Sequence, residues 1–326
     1  MTEIARYFRL EEQSPLVRLV FAFCTVVVTG TLFFWIFLSA GSLIFGIPPR
    51  KMIIIPDPGS TGTSVAVLKY VQFSQQTGLF LLPALLLGWL MRKGGRSMLG
   101  TGKAPVAAGI MMVVIAGMLL IPAVNYTAEL NSGMSLPQSL SAVQEWMRSK
   151  EDIATRLTTM LIGGGGLPAL FMNFFLMALI PALSEEMIFR GVFQKILADL
   201  FRSGDAAVWV TALIFSSIHF QFFGFLPRFL LGLFFGYLFY WSGNLWYAVI
   251  AHFLNNAMTV TAAYFSAWKP GEGQTGSSHV SAVFALVTAL LAVLALVYFR
   301  REVSRTAGAT VPGKEGASGS GPVSAD

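Results

Sequence analysis

Residues 168–198 read PALFMNFFLMALIPALSEEMIFRGVFQKILA, an apolar run interrupted by two adjacent acids and an arginine. The hydrocarbon core of a bilayer is about 30 Å thick, and a helix of about 20 mostly apolar residues crosses it. A charge at the centre of such a helix costs about 2.5–3.5 kcal/mol on insertion scales. Glu185, Glu186 and Arg190 therefore need a specific reason to be there. We predict that this stretch is a membrane span carrying a functional site.

The whole chain has the composition of an integral membrane protein. Of its 326 residues, 55% are hydrophobic and 12% are charged, and the mean hydropathy is +0.68. Soluble proteins average about 25% charged residues, and their surfaces cannot hide this much apolar side chain. The composition excludes an ordinary cytosolic enzyme, a disordered chain and a fibrous protein. The single cysteine, Cys24, excludes a disulfide framework and a cysteine-based zinc site.

A window of about 20 residues predicts an all-α, polytopic transmembrane helical bundle of about eight spans. The predicted spans are 17–45, 77–91, 104–124, 168–198, 206–223, 226–242, 244–265 and 280–299. The second span is short, and its helix is expected to begin earlier, near Val65. Residues 46–64 predict a loop. Residues 135–161 predict an amphipathic helix on the membrane surface, beginning near Ser135, and its alternative role is a lid or a substrate-access element.

Short basic clusters between the spans predict the topology and argue against nucleic acid as a partner. With eight spans all four clusters fall on one side, which the positive-inside rule makes cytoplasmic together with both termini. The clusters are Arg6, Arg9 and Arg18; Arg92, Lys93, Arg96 and Lys103; Lys195 and Arg202; and Arg300, Arg301 and Arg305. The short loops and the lack of an organelle signal favour a prokaryotic inner membrane.

The chain divides into five predicted segments. They are a cytoplasmic segment 1–16, N-terminal spans and amphipathic connector 17–167, a motif-bearing core 168–265, a last span 266–303 and a disordered tail 304–326. The tail is rich in Gly, Ser and Ala, and it lacks the apolar surface needed to order itself. The third histidine, His279, lies in a Ser/Gly loop and is expected to be solvated.

Polar residues inside the later spans recur at helical spacing. Glu186 and Arg190 are four residues apart and share a helix face, while Glu185 points about 100° away. If residues 199–206 form a turn, Glu185 and His219 both lie roughly 20 Å from the inner surface. A lone Glu–Arg pair or intramembrane histidine is more often structural. A second, unpaired carboxylate next to histidines has the properties of a general base, since burial makes a carboxylate more basic.

Three motifs in order resemble the CPBP (ABI) family, the CAAX prenyl-protease and bacteriocin-processing intramembrane endopeptidases. The motifs are EExxxR (Glu185, Glu186, Arg190), FxxxH (Phe215, His219) and HxxxN (His252, Asn256), within residues 168–262. The resemblance implies a multi-span helical fold around a peptide-cleaving site and makes 168–265 its catalytic core. By position, Glu185 would activate water with the help of His219, and His252 and Asn256 would stabilise the oxyanion. Asn255 is an alternative amide donor.

The resemblance also implies roles for the remaining site residues and a choice of chemistry. Glu186 and Arg190 would orient the other groups. His219, His252 and one Glu offer the ligand set of a catalytic zinc. The helical HExxH spacing is absent, and the family has been described both as metalloproteases and as metal-independent glutamic proteases. We favour the glutamic type, which needs no cofactor, with zinc as the alternative.

The function that the sequence favours is endopeptidase action on a membrane-associated or lipidated peptide or protein substrate. One alternative is a non-catalytic scaffold or bacteriocin-immunity protein on the same fold. Another is a transporter or channel with acids as ion sites, for which related halves are expected and no internal repeat is visible. Besides the substrate, the bilayer is the expected partner, and the sequence carries no signal for oligomeric state.

Overall fold

A computed structural model describes residues 10–54, 62–92, 98–162, 166–267 and 280–309, and every regular element in these ranges is helical. The longer helices are α1 (Pro15–Phe45), α2 (Gly62–Gln75, Gln76–Leu81 and Leu82–Leu90), α3 (Ala107–Ser132), α4 (Ser141–Ile162), α5 (Gly166–Asn173, Phe174–Leu179, Ile180–Glu186, Met187–Gln194 and Lys195–Phe201), α6 (Gly204–Ser217), α7 (Phe225–Ser242), α8 (Leu245–Ala267) and α9 (Ala282–Ala309). Short helical turns lie at Leu10–Glu12, Pro49–Met52, Gln138–Leu140 and Phe222–Gly224.

Six helices in the described ranges are long and apolar enough to cross a membrane. They are Pro15–Phe45, Ser64–Leu90, Ala107–Ser132, Gly166–Phe201, Phe222–Ser242 and Ala282–Arg305. This confirms the predicted all-α polytopic bundle and an integral membrane protein. Each of the eight predicted spans corresponds to a helix. The two outside the six are α6, which is too short, and α8, which carries the polar residues His252, Asn255 and Asn256.

The structure differs from the predicted boundaries in several places. The second span begins at Ser64, close to the start near Val65 that the sequence predicted. The amphipathic helix begins at Ser141 rather than near Ser135. Part of the predicted loop 46–64 forms the turn Pro49–Met52, and residues 55–61 lie outside the described residues. Helix α9 continues to Ala309, so the tail predicted from Ser304 begins as helix. Residues 1–9 and 310–326, and His279, also lie outside the described residues.

Helix α5 lies between two hydrophobic clusters. One joins α3, α7, α8 and α9 through side chains such as Val113, Phe235 and Phe299. The other joins α1, α2 and the second half of α5 through Ala22, Leu87 and Ile188 among others. Because both clusters pack on α5, its polar residues are shielded from lipid on both sides. This is the requirement for keeping ionised groups inside a membrane bundle.

Helix α5 is π-helical both before and after the two adjacent acids. Helix α5 has π-helical turns at Phe174–Leu179 and Met187–Gln194, and the α-helical turns Ile180–Glu186 between them hold Glu185 and Glu186. Helix α2 has a third π-helical stretch, Gln76–Leu81, which packs against this part of α5. Such stretches are rare and frequently occur at functional sites, because the extra residue re-aims the side chains of the next turn.

Helices α1 and α2 approach each other at glycines. A Cβ added to Gly78 would lie 2.9 Å from the backbone nitrogen of Phe34, and one at Gly30 would lie 3.3 Å from the backbone of Leu79. Small residues at such crossings let backbones pack closely where lipid provides no hydrophobic driving force.

We therefore expect Gly78→Ala to destabilise the protein by about 1–3 kcal/mol, since backbone atoms of α1 must move. Gly117→Ala is the matched control, because its added Cβ would meet nothing nearer than Phe234 at 3.9 Å. Thermal unfolding in detergent measures both variants. Equal melting temperatures for the two would contradict the close approach.

Candidate active site

Glu186 is the centre of a buried ionic network. Its side chain is 0% exposed, and its Oε1 accepts hydrogen bonds from Arg190 Nη1 at 3.0 Å and from His252 Nδ1 at 2.8 Å. The first contact follows from the i, i+4 spacing on α5 that the sequence predicted. The second joins α5 to α8. One carboxylate oxygen therefore positions both a guanidinium and an imidazole.

Arg190 is also 0% exposed and reaches a third helix. Its Nη2 donates to the backbone carbonyl of Gly232 in α7 at 3.0 Å. The guanidinium carbon lies 4.7 Å from the ring centre of Phe215 and 5.6 Å from that of Phe235. A cation surrounded by aromatic faces and one carboxylate is stabilised without water. Arg190 thus connects α5, α6 and α7 at the level of the acids.

Glu185 has a different environment from its neighbour. It is 7% exposed, and its Oε1 accepts a hydrogen bond from Gln76 Nε2 in α2 at 3.1 Å. The Oε1 of the same glutamine accepts from Ser184 Oγ at 2.8 Å, which fixes the orientation of the amide. The other carboxylate oxygen, Oε2, lies 3.9 Å from His252 Nε2. Glu185 is therefore held by a neutral donor, while its second oxygen faces the imidazole.

His252 is fixed on three sides. Its ring stacks on Phe235, with ring centres 4.9 Å apart and an interplanar angle of 13°. The ring of Phe215 meets it edge-on at 6.0 Å. Since Nδ1 is bonded to Glu186, the Nε2 atom is directed toward Glu185. The structure brings together four of the six predicted site residues: Glu185, Glu186, Arg190 and His252.

His219 lies in a turn rather than on a helix, which corrects the prediction of a span over 206–223. Helix α6 ends at Ser217, and Phe220, just beyond, has a positive φ of 52°. Within the FxxxH motif, His219 Nδ1 lies 2.7 Å from the carbonyl oxygen of Phe215. The two rings also meet edge-on at 5.1 Å. Phe215 therefore contacts both histidines, and the charge of Glu185 acts on His219.

Asn256 lies one helical turn after His252 on α8 and is half-buried. Its Oδ1 accepts a hydrogen bond from Asn255 Nδ2 at 3.2 Å. The described contacts join neither amide directly to the two glutamates. Asn256 is therefore not bonded to the ionic network, and its role in stabilising the oxyanion stays a prediction.

Sequence reasoning missed Gln76, which holds Glu185, and Ser184, which orients Gln76. Gln76 lies directly before the predicted span 77–91 and Ser184 directly before the two acids, and neither is among the predicted site residues. The useful signal was an amide in an apolar run, since a buried polar side chain in a span requires a partner. Which partner it has depends on how α2 packs on α5, and this is not encoded in local spacing.

The chemistry of the two histidines suits either water activation or a metal. Each has its Nδ1 engaged, by Phe215 or by Glu186, so each keeps Nε2 for another partner. Metal-ligating histidines are held in the same way. Within the described ranges, however, no three His, Cys, Asp or Glu side chains gather closely enough to form a metal-binding group. The donor types fit zinc, and a bound zinc would act as a Lewis acid toward the scissile carbonyl.

Comparison with known proteins identifies the part of the chain that holds these groups. Residues 167–258 match the family model described as type II CAAX prenyl endopeptidase Rce1-like. The chain is also 30% identical over 86 residues to the uncharacterized protein YpbD of Bacillus subtilis (strain 168), a match that covers 25% of this chain and 41% of that protein. No solved structure matches the chain. The matched range contains all three motifs, and residues 167–258 are thus similar to the Rce1-like type II CAAX prenyl endopeptidases, in agreement with the resemblance predicted from the motifs.

Proposed function

We propose that this protein is an intramembrane endopeptidase that hydrolyses a peptide bond of a membrane-associated substrate with water activated by Glu185. The observation that carries the proposal is the asymmetry of the two adjacent acids. Glu186 is bound to Arg190 and His252, whereas Glu185 receives its hydrogen bond from the neutral amide of Gln76. One acid is structural and charge-balanced, and the other keeps an oxygen for chemistry.

The geometry supports a water between Glu185 and His252. Their facing atoms, Oε2 and Nε2, are 3.9 Å apart, a distance that is too long for a hydrogen bond and that one water can bridge. Glu185 takes a proton from this water while the water oxygen attacks the carbonyl carbon of the peptide bond. The protonated Glu185 then gives its proton to the departing amine nitrogen, which completes hydrolysis.

The negative charge that develops on the carbonyl oxygen needs nearby donors. An imidazolium at His252 would be stabilised by Glu186 at Nδ1 and would donate from Nε2. With Arg190 present, the two carboxylates and two cations would then sum to zero net charge. Asn256 on the same face of α8, and His219 beyond Phe215, complete the proposed set. Their roles rest on the family resemblance of the motifs.

The site is proposed to act on a peptide or protein within the bilayer, with both termini of the enzyme on the cytoplasmic side of a prokaryotic membrane. The basic clusters at the C-terminal ends of α5 and α9 support this orientation, since positive residues accumulate on the cytoplasmic side.

A cleavage assay on purified protein tests the proposal and its chemistry. We expect the protein in lipid vesicles to cleave members of a membrane-peptide mixture, as seen by mass spectrometry of new termini. We also expect cleavage to persist in a chelator, with metal below one equivalent. Stoichiometric zinc whose removal abolishes cleavage would replace the glutamate mechanism by a metal one. Absence of cleavage under all conditions would favour the non-catalytic scaffold.

A further inference from the structure

Arg228, in the first turn of α7, is a half-buried cation at the edge of the proposed site. Its Nη1 and Nη2 both donate to Gln221, to the backbone carbonyl and to the side-chain oxygen. A guanidinium has five N–H donors, so three remain beyond these two bonds. Gln221 is neutral, and it orients the guanidinium without neutralising it.

Arg228 lies close enough to the proposed site to interact electrostatically with its residues. It acts on His219, and the charges of Glu185 and Glu151 act on it in turn. Yet in the part of the chain that the structure describes, no carboxylate lies within 4.0 Å of Arg228, whereas Arg190 has Glu186 at 3.0 Å. Placing a cation in a membrane bundle without a close counter-ion is costly even when the side chain is half-buried, and such residues commonly mark a ligand site.

The length of α6 puts the turn that carries Gln221 at membrane depth if the helix begins at the inner surface. Helix α6 has 14 residues, which span about 21 Å, less than the roughly 30 Å hydrocarbon core. Irregular backbone at this depth persists only where protein covers it or where it lines a water-filled cavity. Asn131 holds the turn, with Nδ2 donating to the Phe222 carbonyl and Oδ1 accepting from Leu226 N.

Helix α4 covers the same turn from the other side. The ring of Trp146 lies 5.1 Å from that of Phe222, and the Arg148 guanidinium lies 4.6 Å from the ring centre of Phe223. Further along α4, Glu151 has a buried oxygen, Oε2, without a hydrogen-bond partner among the described residues. Arg228 thus lies under an amphipathic helix that brings negative charge, but no direct ion pair, to the guanidinium.

We propose that Arg228 binds a carboxylate of the peptide substrate and thereby sets the position of the scissile bond relative to Glu185; this rests on the proposed function. A guanidinium pairs with a carboxylate through two parallel N–H···O bonds, which fix both distance and direction. The carboxylate is either the C-terminal group of the peptide or an Asp or Glu side chain. It would neutralise Arg228 and separate the substrate's negative charge from Glu185.

Cleavage of matched peptides by purified protein tests this inference. A peptide cleaved by the wild type is compared with its C-terminal amide and with versions in which each Asp or Glu becomes Asn or Gln. We expect Arg228→Gln to raise KM for the parent peptide about 10- to 100-fold, with kcat little changed, as for loss of a charge-assisted pair. Arg228→Lys should recover part of the loss. Arg148→Gln is the control, since it removes a neighbouring exposed cation.

The arms of the experiment separate the outcomes. Loss of the Arg228→Gln effect on the amidated peptide supports the terminal carboxylate, and its loss on an Asn or Gln version supports a side chain. An equal loss on every peptide version overturns the inference and leaves Arg228 as a support of the turn. A wild-type protein that cleaves no peptide overturns the proposed function, and this inference with it.

Discussion

Replacing Glu185 by glutamine is expected to abolish peptide cleavage while the bundle stays folded. Glutamine has the shape of glutamate, and its amide oxygen can still accept the hydrogen bond from Gln76 Nε2. It cannot take a proton from water. General-base catalysis typically contributes a factor of about 10² to 10⁴ in rate, so kcat should fall by at least about 100-fold with little change in thermal unfolding.

The same substitution on α4 provides the control. Glu145 is exposed and lies away from the ionic network, so Glu145→Gln should leave cleavage unchanged. In cells, comparison of peptide termini in membranes carrying wild type or Glu185→Ala would identify the substrate, because termini made by this enzyme disappear in the variant. Full activity of Glu185→Gln would exclude Glu185 as the base and favour His252, with its partner Glu186, in that role.

The hydrophobic pattern predicted the helices well because each membrane helix satisfies its backbone hydrogen bonds within itself. A membrane helix is defined by about 20 apolar residues regardless of its neighbours, so each of the eight apolar runs contains a helix, although α6 ends before its run does. The i, i+4 spacing likewise predicted the contact of Glu186 with Arg190. These relations are local, and a sequence contains them directly.

The rest of the site depends on packing between distant segments. Gln76 reaches Glu185 across 109 positions of sequence, and Arg190 reaches the carbonyl of Gly232 in α7. Neither follows from spacing within one helix. The π-helical turns of α2 and α5 also change which way side chains point, so the 100° step from residue to residue does not hold through them. Helix α6 ends early, at Ser217, and the hydrogen bond from Ser216 Oγ to the Phe225 carbonyl joins this end to the start of α7. This contact is likewise not encoded in the spacing within α6.

Removing the charge of Arg190 is expected to have the largest effect on stability. Arg190→Met keeps most of the apolar stem but leaves Glu186 buried with His252 as its remaining partner, and it deprives the Gly232 carbonyl of its donor. Breaking a buried pair from one side costs about 3–5 kcal/mol. We therefore expect a loss of folded protein in detergent and a fall in the free energy of unfolding of that size.

A double substitution distinguishes loss of charge balance from loss of packing. Glu186 Oε2 and Arg190 Nε are both buried without a hydrogen-bond partner among the described residues, so the pair is incompletely satisfied, and replacing both members is better tolerated than breaking one. Glu186→Gln with Arg190→Met should therefore recover much of the stability that the single variant loses. It should not recover cleavage, because His252 Nδ1 would then face a neutral amide that stabilises its charged form poorly. A single variant as stable as the wild type would show that Arg190 does not balance Glu186, and a double variant with full activity would show that the network does not position His252.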